Sequence, residues 1–524
     1  MLVVAFLALT MLLPAAFSQG ADASYGGTLR IGVTSELDNV DRIFTPTSIA
    51  VGVPQRLIFD SLAVLNRATM QYQPRLAESW EIADDGLRWR FNLRRDATFH
   101  NGDPVTAEDV KFTMDVARLP EYESPYPARY ASVADVVVVD DYTLDMHLNA
   151  PVLATLEFDI WEHPIYPKSV YESDVQGFGL DPVGSGPFRL VEWRRGLDMT
   201  LEANEDYYGG RPYLDEIVLR VMPDDQARVL AMDAGEIDLD LSVSTDDIPR
   251  FRANPDLNAF STEPSNVQFL GFFDEHPYVG GEENRAVRHA IAHAINEGSI
   301  LSLYEAAGGV PTKNMLPPAI LEYNDDVPTY AFDPDTALSL LEEAGWTQDN
   351  EGVLRNDEGE QLSIELLTDS SSPDLLDQAQ IIQQNLSDIG VDLEIASFEF
   401  NTYFEYMRSG NFDLRIARRN GIIAADYLYT YFHSNNIPVQ NRNWYDNPRL
   451  DELLETGRSA GISDEERLDA YHEAQEILAR DLPSYPMVAV PVWLVSQANV
   501  VWPEDMTLIH TLDVIHFIPQ VYLR

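Results

Sequence analysis

From Tyr25 onward, stretches with a two-residue apolar period take turns with stretches of helical period, and this alternation restricts the chain to an α/β architecture. Leu29, Ile31 and Val33 alternate with small or polar residues as an early strand, followed by the loop SELDNVD at 35–41. Asp84-Asp85-Gly86 is a turn signal between Trp80/Ile82 and Leu87/Trp89/Phe91/Leu93. The second set alternates with Arg88, Arg90, Asn92 and Arg94, which predicts a strand with one wet face. Thr106 and Asp109 have capping-box spacing and open a helix through Val110, Met114 and Ala117. Between Val183 and Asp225 the pattern gives two or three strands with Gly/Pro turns, then a helix over Asp225–Ala234 closed by Gly235. Two apolar stripes predict further helices: Ala286, Val287, Ala290, Ile291, Ala294 and Ile295, then Leu375 to Ile389, stopped by Gly390. Val391, Leu393 and Ile395 alternate as a strand, and Ser463 with Glu466 caps a helix reaching Arg480.

A chain of 524 residues exceeds what one core supports, so two or three domains are expected. The 86 acidic residues outnumber the 35 basic ones, for a formal charge of −51. A nucleic-acid binder needs a basic face to neutralise phosphates, and docking on anionic lipid needs the same, so both partners are excluded. Lys111, Lys168 and Lys313 are the lysines; the other basic residues are arginine. Abundant carboxylate with little lysine suits a saline setting, where screening weakens self-repulsion, although a codon bias towards arginine gives the same pattern. With no cysteine, disulfides, thiolate catalysis, Cys-ligated zinc and a thiol-linked lipid anchor are ruled out.

The run MLVVAFLALTMLLPAAFS, then small residues and GADAS, predicts a secretory signal over 1–23, cleaved near Ser18 or Ala23. It lacks a basic n-region, leaving open a start further upstream. As a membrane anchor the run is short and interrupted by Pro14. A protein exported to the periplasm and released is therefore expected.

LAESW…DDGLRWRFNLRRDATFHNGDPVTAEDVKFTMD, VGSGPFRLVEW, YYGGRPYLDEIVLRVMPD, NVQFLGFF with RAVRHAIAHAIN, DPDTALSLLEEAGW, and NPRLDELLE with YHEAQEILARDLPSYP follow one another along the chain. Together they resemble the dipeptide/oligopeptide-binding family (family 5) of extracytoplasmic solute-binding proteins of ABC importers. The resemblance implies an α/β, periplasmic-binding-protein-like, two-lobed clamshell with an additional inserted domain: three domains with mixed sheets. Domain I would combine 24–69, 181–263 and 492–524; domain II would be 70–180 and domain III 264–491. Crossings near Glu263 and Pro491 would act as hinges. The resemblance also implies a monomer that captures short peptides without chemistry or cofactor and hands them to an ABC permease with its ATPase subunits.

In that family an aspartate in a segment resembling "ADY" anchors the ligand's α-ammonium, which carries over to Asp426 in AADY, next to Tyr427. A carboxylate in a dry cleft suits that role; the other reading of Asp426 is a local turn or cap. Asp413-Leu414 stands farther ahead of Asp426 than the family pattern has it, and the Trp normally passed on the way is absent. An oligosaccharide or an anionic, opine-like small molecule therefore stays open as the ligand. Arg415, Arg418 and Arg419 form a basic run ahead of this segment. Planar guanidiniums suit carboxylates, phosphates or sugar acids, and Arg418, then Arg415, are the candidates; a solvated strand and an Asn420-Gly421 turn are the alternative. Among Tyr427, Tyr429, Tyr431, Trp444 and Trp493 one or two would stack on ligand, with Trp444 a candidate beside Tyr427. The loop from Glu36 to Asp38 is a weaker candidate, through Glu36.

His289 and His293 stand at i, i+4, but without the HExxH glutamate a solvent-facing pair is the reading, and no metal is expected. TQDNEGVLRNDEGEQL fails EF-hand spacing and reads as a hairpin. GSG at Gly184–Gly186 is no nucleophile elbow. A secreted hydrolase would need a nucleophile–base set or paired carboxylates, and the ordered family blocks count against it.

Overall fold

The alternating strands collect into sheets of seven, six and four strands, with three two-stranded ribbons, among the described residues. The computed structural model describes residues 24–524 apart from 37–38, 46–48, 67–68, 70, 125–129, 131, 152–157, 371, 505, 507 and 509. Residues 1–23, where a secretory signal is expected, and the Leu37-Asp38 part of the early loop lie outside the described residues.

The seven-stranded sheet runs Leu257–Ser261, Trp493–Gln497, Leu239–Asp240, Thr28–Val33, Glu216–Val221, Asp198–Ala203, Phe188–Arg194. Its Thr28–Val33 strand is parallel to Glu216–Val221 and Leu239–Asp240, and the outer pairs are antiparallel. The region from Val183 thus supplies three strands, followed by a helix at Asp225–Asp233 and Gly235 at φ +68. The four-stranded sheet pairs Ala77–Ile82, Arg88–Leu93, Thr143–Leu148 and Val133–Asp140, turning at the predicted Asp84–Gly86. Arg88–Leu93 alternates half-buried and buried, as a strand with one wet face should. Leu29, Ile31 and Leu201 of the first sheet share one continuous core with Trp89, Phe91 and Met146 of the second.

The six-stranded sheet orders Val310–Pro311, Ser484–Val490, Asn266–Phe272, Leu414–Arg419, Ser363–Asp369, Asp392–Phe398. Its core is separate: Leu366, Leu414 and Ile416 pack with Leu341 of the helix Pro334–Glu343 and with Ile291, Ile382 and Leu386, which come from the predicted amphipathic helices. Those helices span Arg285–Ala294 and Pro373–Asp388.

The chain passes between the seven- and six-stranded sheets at 262–265 and again at 491–492. The two passages are bonded to each other: Thr262 N donates to Val492 O at 2.9 Å and Val492 N donates to Thr262 Oγ1 at 3.0 Å. Another contact is at Ala460, whose N–H lies 3.5 Å from Pro151 O.

Local signals explain several elements. Asp109 Oδ2 accepts from Thr106 N at 2.9 Å, and Ser463 with Glu466 forms the reciprocal capping box at 2.9 and 3.2 Å. Thr347–Gln348 and Leu354–Arg355 pair as the expected hairpin. Gly184 is packed so closely that a Cβ there would sit 1.9 Å from Ile58 O, so the GSG serves backbone contact. His289 and His293 differ from the solvent-facing reading. Both are half-buried against Tyr330, one bonded to Arg480 O at 2.7 Å and the other to Ala331 O at 2.8 Å.

Candidate ligand-binding site

The basic run lies on Leu414–Arg419, an interior strand of the six-stranded sheet, so its side chains alternate between two faces. Leu414 and Ile416 enter the helix-covered core, and Arg418, on that side, reaches Asp374 on the Pro373–Asp388 helix at 3.4 Å. Arg415 and Arg419 share the other face with Ala417, beside Phe269 of the neighbouring strand. The run is therefore split, and Arg418 faces away from Arg415 and Arg419.

Arg415 is 1 % exposed. Its Nε and Nη2 donate to Asn443 Oδ1 at 3.0 and 2.7 Å, and Asn443 in turn donates to Ser484 Oγ at 2.7 Å. A Cβ on Gly271 would lie 3.1 Å from Arg415 Nε, so glycine makes room for the guanidinium. Arg415 thus ties three segments together and presents no surface to a ligand, a correction to its candidacy with a plain cause: inward alternation on a central strand. Burial together with the charges of Arg419 and Arg442 pushes its guanidinium down to about 9.

After the strand, Gly421 takes φ +67, but Asn420-Gly421 is not the turn the sequence suggested: the chain runs on irregularly and turns at Ala425-Asp426. Gly421 N donates to Asn266 Oδ1 at 2.8 Å and Ile422 N donates to Ser265 O at 2.8 Å, which pins the loop to the first inter-sheet passage. His510 of the C-terminal segment lies against it, within 2.5 Å of where a Gly421 Cβ would stand.

Asp426 precedes the short helix Tyr427–Phe432 and makes no side-chain cap bond to it. Its carboxylate instead receives Arg458 Nε at 3.1 Å and Nη2 at 3.3 Å, with 12 % of the Asp426 side chain exposed. Burial pushes the Asp426 carboxyl up, against the pull of Arg458. Arg458 also lies over the Tyr429 ring at 4.0 Å. Tyr427 and Tyr431, one turn apart, sit together with ring centroids 4.3 Å apart. Tyr431 carries the Arg419 guanidinium at 3.7 Å, and Tyr427 OH lies 3.4 Å from Asn420 O.

Trp444 is half-buried at φ +62, edge-on to Phe273 at 5.5 Å, and its indole N–H has no acceptor among the described residues. Glu36 is exposed and belongs to the other unit, with Oε1 3.7 Å from the Cβ position of Gly196. Trp493 stands just past the second inter-sheet passage and donates Nε1–H to Ala307 O at 2.7 Å. Asp426, Tyr427 and Trp444 thus belong to the unit built on the six-stranded sheet.

Sequence reasoning missed Arg458 and Arg442. Arg458 closes the Pro448–Arg458 helix, and nothing local links it to Asp426. Arg442 stands in NRNW, apart from the basic run, and is a signal only once it is known to lie near Arg419. Burial and the Arg419 charge push Arg442 down to about 10, countered by the nearby Tyr431, Tyr403 and Tyr427 phenols.

Among curated proteins, heme-binding protein A of Haemophilus influenzae is 28% identical over 477 residues, covering 85% of this chain and 84% of that protein. The oligopeptide-binding protein AppA of Bacillus subtilis is 26% identical over 473 residues, covering 87% and 85%. The structure also superposes on DppA of Helicobacter pylori in complex with the peptide STSA, with TM-score 0.79 and 26% identity over 96% of this chain and 99% of that one. The sequence profile of the bacterial extracellular solute-binding proteins, family 5 (middle), matches residues 71–438. The two-lobed α/β fold and the profile match together establish that the chain belongs to family 5 of the bacterial extracellular solute-binding proteins.

Proposed function

We propose that this protein captures short peptides outside the cytoplasm and delivers them to the permease and ATPase subunits of an ABC importer. One lobe would be 24–69, 181–263 and 492–524 with 70–180 attached, and the other 264–491. The observation that carries the reading is the pair of inter-sheet passages at 262–265 and 491–492, bonded to each other and touching the loop before Asp426. Two adjacent strands of chain between two separate cores form a hinge, and a ligand that contacts both lobes favours the closed state. Asp426 would hold the peptide ammonium, sharing or displacing Arg458, while backbone groups pair with the extended chain. Export by a cleaved leader and action as a monomer belong to the same reading.

A thermal-shift panel of di- and tripeptides against neutral sugars tests it, because a ligand that binds only the native state raises the midpoint. Peptides are expected to raise it, and Asp426→Asn to weaken those with a free amino terminus while sparing N-acetylated ones. A response to sugars with none to any peptide overturns the peptide reading. An oligosaccharide or an opine-like acid is the second reading, favoured because Arg458 already occupies the Asp426 carboxylate.

A further inference from the structure

In a chain with 86 acidic residues, buried guanidiniums without a carboxylate stand out. Arg415 and Arg419, with the half-buried Arg442, are such a set among the described residues. Arg415 is satisfied by Asn443, whereas Arg419 keeps a buried donor without an acceptor and Arg442 has one backbone bond and a part-exposed guanidinium. Arg419 is 7 % exposed, directs Nη2 to Gln440 O at 3.4 Å, and its Nε–H has no acceptor. Arg442, half-buried, directs Nε to Val439 O at 3.2 Å. A guanidinium has five N–H donors, so most of the donors on both are left over.

The two are held in place by aromatic rings. Arg419 lies over Tyr431 at 3.7 Å and Phe269 at 5.5 Å, and Arg442 lies over Phe404 at 4.6 Å. Tyr427 packs on Tyr431 and completes the wall. The leading influences on Arg442 are burial, Arg419 and three tyrosine phenols, with no carboxylate among them. Arginine keeps its proton, so the strain of gathering these charges cannot be relieved by deprotonation; a counter-anion relieves it. Ring stacking holds the guanidinium planes while leaving their edges free for the oxygens of an acid.

We infer that Arg419 and Arg442, walled by Tyr427, Tyr431 and Phe404, seat a carboxylate of the transported solute, so that this binding protein serves acidic ligands. The inference rests on the solute-binding reading above and narrows its substrate class. It also separates the functional pair from Arg418, which Asp374 already engages on the opposite face.

The probe is glutarate, added to the purified chain at pH 7.5 against chloride of equal ionic strength, with the melting midpoint as readout. Tri-alanine amide is run in parallel. Glutarate is expected to raise the midpoint in a saturable way. Arg442→Gln, at a half-buried position, is expected to weaken the apparent affinity roughly ten- to hundredfold, the loss typical of charge-assisted hydrogen bonds. Arg442→Lys should restore part of it. Glutarate acting no differently from chloride, or acting equally on Arg442→Gln, overturns the carboxylate seat even where tri-alanine amide binds. A glutarate response lost in Arg442→Gln supports the seat even where no peptide binds and the peptide reading fails.

Discussion

Replacing Arg458 with methionine isolates the contact that decides whether Asp426 is available to a ligand. Two bonds at 3.1 and 3.3 Å join the side chains, which are 26% and 12% exposed. That exposure lies between a surface pair, worth at most about 1 kcal/mol, and a buried one, whose rupture costs about 3–5 kcal/mol, so a loss of about 2 kcal/mol is expected. With unfolding entropy of roughly 2 cal/mol/K per residue over a lobe of roughly 230 residues, the midpoint falls by about 4 °C. Burial raises the Asp426 carboxyl while Arg458 lowers it, so removing Arg458 raises it further. A carboxyl with a raised folded pKa binds its proton more tightly when native, and stability falls as pH rises from about 4 through the folded value. The deficit of Arg458→Met is therefore largest at neutral pH and shrinks on acidification. Calorimetry at pH 7.5 and 5.0 measures this, and Asp426→Asn in the same background should recover most of the loss by removing the orphaned charge. A deficit that is the same at both pH values and is not recovered by Asp426→Asn refutes the argument.

Two further outcomes follow from the other lobe. His100 bonds through Nε2 to Gly186 O at 3.1 Å and through Nδ1 to Gly184 N at 3.3 Å, and burial pushes it down to about 4. The unfolded chain protonates this ring near pH 6.5 and the folded chain near 4, so its stabilisation is lost as pH falls through that window, at up to about 1.4 kcal/mol per pH unit. An NMR midpoint for the folded ring near 6.5 contradicts the assignment. Gly184→Ala places a Cβ 1.9 Å from Ile58 O, a clash with backbone that costs about 1–3 kcal/mol or more, and an unchanged unfolding midpoint counts against that packing.

Much of the fold could be read locally. The Asp84–Gly86 hairpin, the capping residues at Thr106 and Ser463, and the stripes at Arg285–Ala294 and Pro373–Asp388 depend on neighbours in sequence, and each formed where its pattern put it. The ordered family blocks, spread over the chain, were the remaining legible signal, and the profile match at 71–438 agrees with them. The candidate site was legible only as a location. The run Phe412–Tyr427 spans an interior strand and the loop after it, but a linear reading treated its arginines as one cluster.

By itself, the sequence determined that this is an acidic α/β chain of the family 5 solute-binding class, because composition, periodicity and motif order need no knowledge of distant contacts. Only the tertiary structure decided what each charge does. Strand pairing with Asn266–Phe272 turned Arg415 and Arg419 to one side and Arg418 to the other. Chain returning from tens of residues away brought Arg458 onto Asp426 and Arg442 towards Arg419. Whether a guanidinium meets a carboxylate, an amide or nothing depends on separation in space and on burial, and one-dimensional spacing encodes neither.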